Sequence, residues 1–112
     1  MQHSRKLQER CVEELSELSY IVRCWVELTE SPLGQVNISQ ELRDSVSSLS
    51  NLVENALDLA LEGDVETVSL FVKRISEVGK GIIETSSLEL LVNLWLNEVE
   101  QEEAGFGEED EA

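Results

Sequence analysis

The sequence predicts an all-α fold: a bundle of four helices followed by a disordered acidic tail. Three observations carry this expectation. Apolar residues recur in alternating steps of four and three, as in Leu42, Val46, Leu49, Val53, Ala56 and Ala60, which places them on one face of a helix. No stretch of useful length alternates apolar and polar residues as a half-buried strand would. Residues that start and stop helices, notably Gly63, Asp64 and Ser86, fall where these stripes are interrupted. The expected helices span 4–29, 38–62, 64–84 and 86–103. They form one domain over 1–103, with the tail at 104–112.

The first helix carries Leu7, Cys11, Leu15, Leu18, Val22 and Trp25 on one face. SPLGQVNI follows, and its Pro32 and Gly34 read as a loop that frees the first helix to cross its neighbours. Asn37, with Gln40 three residues on, fits a capping box opening the second helix, and Gly63 fits its C-terminal stop. Asp64 caps the third helix, whose stripe is Val65, Val68, Val72, Ile75, Val78/Gly79 and Ile82. Ser86 with Glu89 repeats the capping-box pattern and opens the fourth on Leu88, Leu91, Trp95 and Val99. Tight connections at Gly63-Asp64 and Thr85-Ser86 make the last three helices antiparallel neighbours.

Charge narrows the function classes. The formal net charge is −16, and residues 81–112 hold ten acids and no Lys or Arg. Neutralising phosphates takes clustered bases, so direct binding to nucleic acid or to an anionic membrane surface is not expected. Protein partners with basic surfaces are favoured in encounter rate. The longest strongly apolar stretch, Leu88–Leu96, is far short of the ~18–20 residues that span a bilayer. The charged, amphipathic opening MQHSRKLQERCVEELSEL does not read as a signal peptide. Cys11 and Cys24 are about 20 Å apart along one helix, too far to bridge. Unpaired thiols and this opening together lead us to expect a cytoplasmic protein.

The inventory for chemistry is short, and no catalytic residue, cofactor or metal site is expected. His3 is the sole histidine and lies at the chain start, so a histidine-based triad or zinc site lacks its parts. Gly79-Lys80-Gly81 has neither the spacing nor the preceding strand of a phosphate loop. Asn37-Ile38-Ser39 matches a glycosylation sequon, but capping accounts for it better. Glu14 falls within the apolar arc of the first helix, where Arg10 one turn earlier is placed to pair with it. Glu13, Glu14 and Glu17 are the carboxylates that a bundle metal site would draw on.

Two partial resemblances are carried by the segment around the second and third helices, and a third by size and composition. ALEGDVETVSLFV resembles the inner hairpin of an ankyrin repeat, without the TPLH-type turn or a second repeat. The same helix–Gly-Asp–helix is similar to one half of a PhoU-type phosphate regulator. That likeness implies a helical regulatory or carboxylate metal-binding protein, whereas the helix that would carry the metal motif reads LELLVNLWLNEV. Size and acidity are similar to the small helical export chaperones of flagellar systems. None of these covers enough of the chain to assign a family.

The surface is more informative. Measured from Leu88, Leu90 and Leu94 fall at about 200° and 240°, opposite the inner stripe of the fourth helix, at ~100° per residue. Leu70 stands in the same relation to the stripe of the third helix. These three leucines are the expected partner interface, unless the first helix wraps over them. Burying them stabilises by ~1.5–3 kcal/mol each. The expectation is therefore a non-enzymatic interaction module (adaptor, chaperone or inhibitor) that forms a homodimer or heteromer through the fourth helix. The tail carboxylates Glu108, Glu109, Asp110 and Glu111 keep it soluble or steer it to a basic partner. The alternative is a nucleic-acid mimic that blocks a DNA- or RNA-handling protein.

Overall fold

A computed structural model describes the backbone of residues 2–111 and the side chains of residues 4–103. Five helices and no strand are found among the described residues: α1 (Gln2–Glu30), α2 (Pro32–Asn37), α3 (Gln40–Glu62), α4 (Val65–Val78) and α5 (Ser86–Glu111). The four long helices pack in a ring, with α1 against α3 and α5, and α4 against α3 and α5. The short α2 packs on α1. No described helix is long and apolar enough to cross a membrane.

The predicted stripes point inward. Cys11, Leu15 and Val22 of α1 meet Val46, Leu49, Val53, Ala56 and Ala60 of α3 in one core. Val65, Val68, Val72 and Ile75 of α4 join them, with Leu88, Leu91, Val92 and Trp95 of α5. Leu42, first in the α3 stripe, is exposed, because it lies at the end of the bundle. Polar ties fix the antiparallel order: Gln8 Nε2 donates to the Ala60 carbonyl at 2.8 Å, and Arg23 Nη2 reaches Glu54 Oε1 at 3.0 Å. Gln8 thereby adds a second donor to a carbonyl in the last turn of α3 that the Gly63 N–H also reaches, at 3.1 Å. At the same end of the molecule, Ser4 Oγ donates to Glu102 Oε1 at 2.9 Å, tying the start of α1 to the later part of α5.

Several expected boundaries are corrected. SPLGQVNI is not an open loop. Ser31 Oγ accepts the Gly34 N–H at 3.2 Å, and Pro32 occupies the first helical position, so the segment coils into α2. Proline breaks a helix interior but is pre-shaped for its first turn. Asn37 ends α2 rather than capping the next helix. The cap of α3 is Ser39, whose Oγ accepts the Leu42 N–H at 3.2 Å. The third expected helix stops at Val78 rather than 84. Gly79 closes it and Gly81 takes φ 81, so residues 79–85 form a longer connection than the tight one expected. A Cβ on Gly79 would come within 2.9 Å of the Ile75 carbonyl oxygen, so this turn needs the missing side chain. Helix α5 continues to Glu111, past Ala104, where a disordered tail was expected to begin.

The Gly63-Asp64 junction is as the sequence predicts. Gly63 sits at φ 85, and the Asp64 N–H returns to the Leu59 carbonyl at 3.0 Å. Asp64 Oδ1 then accepts the Thr67 N–H at 3.3 Å to cap α4. An L-residue in the left-handed region costs about 1–2 kcal/mol. Gly63→Ala should therefore lower the unfolding free energy by about 1 kcal/mol. Trp95→Ala, which empties the core, should lower it by about 3–5 kcal/mol. Urea titration followed by circular dichroism checks both; an unchanged midpoint for Gly63→Ala would contradict the left-handed stop.

Candidate functional site

Helix α5 presents apolar residues on two faces, and only one is covered. Leu90 and Leu94 are 60% and 43% exposed, and Leu70 on α4 is 64% exposed. Helix α1 packs beside α5, so it leaves these leucines open. The bordering crevices show which way each leucine lies. Between α4 and α5 the crevice is lined by Ser69, Val72, Lys73, Glu89, Val92 and Asn93. Between α1 and α5 it is lined by Glu14, Glu17, Leu18, Ile21, Glu84, Ser87 and Leu88. Leu90 and Leu94 are three and seven residues beyond Ser87, so they continue its row on the side of α5 nearer α1. Glu89 and Asn93 form the row facing α4. The structure thus brings Leu90 and Leu94 together, whereas Leu70 stands across a crevice lined by Ser69, Lys73, Glu89 and Asn93.

The apolar strip extends onto α1, which the sequence reading did not include. A shallow depression of about 440 Å³ is lined by Ser16, Glu17, Tyr20 and Ile21. Glu17 and Ile21 also line the α1–α5 crevice, so the two are continuous. Tyr20 is 70% exposed. The signal for it was present, since Tyr20 and Ile21 fall off the inner stripe of α1. Only the placement of α5 shows that Ile21 borders it.

Among the described residues, the carboxylates along this crevice form no ion pair. The ion pairs found among the described residues are Arg5–Glu9, Arg23–Glu54 and Arg74–Glu77. The expected Arg10–Glu14 pair is not among them. Glu84 accepts hydrogen bonds from both the Ser86 hydroxyl and the Ser86 backbone N–H, the latter at 2.8 Å. These bonds, the hydroxyl first, hold the Glu84 carboxyl below its ordinary pKa, which keeps it ionised. They also replace the expected Ser86–Glu89 capping box: the Ser86 hydroxyl serves Glu84, and the first backbone bond of α5 runs from the Glu89 N–H to the Thr85 carbonyl at 2.9 Å.

A second opening lies at the end of the bundle. Trp25, Leu28, Ile38, Leu42, Val46 and Ile82 contribute to an apolar recess of about 330 Å³. Among the described residues, no group of three or more His, Cys, Asp and Glu is placed to hold a metal ion. The tail residues Glu108, Glu109, Asp110 and Glu111 have side chains outside the described residues, and His3 does as well. Comparison with protein-family models, with curated proteins and with solved structures gives no significant match.

The two thiols have opposite environments. Cys11 is fully buried, and that burial, reinforced by the nearby Glu14 charge and opposed by Arg10, pushes its pKa up to about 12. A thiol so placed is held in its unreactive form. Cys24 is exposed on the outside of α1. A maleimide or aromatic disulfide reagent at neutral pH should therefore modify one thiol per folded chain, at Cys24, and reach Cys11 only in denaturant. Rapid modification of both thiols in the native protein would contradict the burial of Cys11.

Proposed function

We propose that this chain is a non-enzymatic protein-interaction module that docks another protein through the outer face of α5, centred on Leu90 and Leu94. The observation that carries this reading is their exposure, 60% and 43%, on a helix whose opposite face is sealed in the core. Exposed apolar residues scattered singly are ordinary. Here Leu90 and Leu94 are one turn apart on the exposed side of α5, following Ser87 of the α1–α5 crevice, and an apolar patch rimmed by charge is the usual mark of a contact surface. Leu70, separated by polar groups, belongs to the edge of that surface or to a second contact. An adaptor, chaperone or inhibitor would each act in this way. The acidic composition suits a protein that remains soluble while its apolar face is empty.

Nucleic-acid mimicry is a second reading, supported by the exposed, helix-ordered row Glu9, Glu13 and Glu17 on α1. Salt separates the two. Contacts made by leucines survive high salt, whereas contacts made by carboxylates are screened once the Debye length falls to about 3 Å at ~1 M.

The direct test is sedimentation of the wild type and of a Leu90→Glu, Leu94→Glu double variant at micromolar concentration. At low salt, like charge should keep the wild type monomeric. At ~1 M salt the screened apolar faces should pair, and the double variant should remain a folded monomer with unchanged helicity. A double variant that unfolds would place these leucines in the core and end the reading. Equal association by wild type and variant would remove α5 from the contact.

A further inference from the structure

We infer that the α1–α5 crevice is a docking groove for a basic amphipathic helix of a partner protein. This rests on the reading that α5 binds protein through Leu90 and Leu94, and it adds what the partner must look like. The groove has an apolar floor with carboxylates on both walls. Ile21, Leu18 and Leu88 line it, Tyr20 lines the adjoining depression that shares Glu17 and Ile21, and the exposed Leu90 and Leu94 follow Ser87 along α5 at helical spacing. Glu14 and Glu17 stand on the α1 wall and Glu84 at the start of α5. No Lys or Arg is among the described lining residues, and none of these three acids belongs to an ion pair found among the described residues.

That distribution selects the occupant. A second copy of this chain would set the same carboxylates against their own kind. A neutral apolar helix would cover the leucines yet leave three acids partly desolvated without counter-charge, which is costly. A helix with an apolar ridge at i, i+4 and i+7, flanked by Lys or Arg, fills the floor and pairs both walls. From Ser86 to Leu94 the α5 side of the groove runs about 12 Å at ~1.5 Å per residue, so two to three turns of partner helix span it. Glu84 is well suited to meet a base because Ser86 holds its carboxylate ionised and oriented.

The test uses three synthetic amphipathic helical peptides of about four turns. They share one leucine ridge and differ only in flanking residues, which are Lys, Gln or Glu. Titration calorimetry near physiological salt measures each against wild type, Leu90→Glu/Leu94→Glu, and Glu14→Gln/Glu17→Gln/Glu84→Gln. A control set neutralises Glu41, Asp58 and Glu62 on α3 by the same three charges. The Lys peptide should bind wild type, and neutralising the groove acids should weaken it by about tenfold or more. The control should change it by less than about twofold. The Leu variant should abolish binding, the Gln peptide should bind at least about tenfold more weakly than the Lys peptide, and the Glu peptide should not bind. Equal losses from the groove and control sets, or equal binding of the Gln peptide, would overturn the charge selection while leaving an apolar contact on α5. So would failure of the Lys peptide to bind a chain whose salt-induced pairing still depends on Leu90 and Leu94. Binding unaffected by the Leu variant would overturn both the groove and the reading beneath it.

Discussion

Packing of Leu88, Leu91, Val92 and Trp95 against the other helices closes the ring, and the remaining architecture depends on that contact. Three antiparallel helices leave an apolar furrow that a fourth must fill, and α5 fills it from between α1 and α4. Once α5 is held on both sides, no element of the ring remains to lie over its outer face. The exposure of Leu90 and Leu94 is therefore a consequence of topology as much as of composition. In a ring of four, each helix keeps an outward surface, and that of α5 carries Leu90 and Leu94 on successive turns. The small residues Ala56 and Ala60 on α3 are both fully buried in the same core.

Much of this arrangement was legible in the sequence, for a definite reason. Stripe residues such as Leu15, Val53, Val72 and Trp95 are set by periodicity, which survives whatever the tertiary detail. The Gly63-Asp64 junction was equally legible, because a left-handed stop and a carboxylate cap are local chemistry. Where two local devices competed, the sequence alone did not decide. Ser31-Pro32 reads as a break, but it also begins a helix, and Ser39 outcompetes Asn37 as the cap of α3. Gly79 and Gly81 frame a turn, although the apolar stripe runs on through Ile82.

The candidate site divides in the same way. That Leu90 and Leu94 lie opposite the core follows from the rotation of a single helix. That Glu14, Glu17 and Ile21 share a crevice with Ser87 and Leu88 depends on how α1 and α5 are rotated against each other, and no single-helix pattern encodes this. That no ion pair holds those acids among the described residues was also invisible, since Arg10 stands one turn from Glu14 and suggests a pair that is not found there. Leu70 shows the converse. It shares the off-stripe position of the other two leucines, and α4 does pack against α5, yet Ser69, Lys73, Glu89 and Asn93 line the crevice between them.

Taken together, an apolar strip beside uncompensated carboxylates explains how one small chain can hold a sticky face and a large negative charge at once. In the proposed contact, apolar area would supply the energy and charge would govern which surfaces reach it. The account stands on the strip being open in the free protein. Methyl NMR of the dilute chain with a soluble paramagnetic relaxation agent measures this residue by residue. The account predicts strong broadening of the Leu90 and Leu94 methyls, comparable to exposed Leu33, while Leu91 and Val92 remain sharp. Leu90 and Leu94 methyls as protected as those of Leu91 in a demonstrated monomer would contradict it.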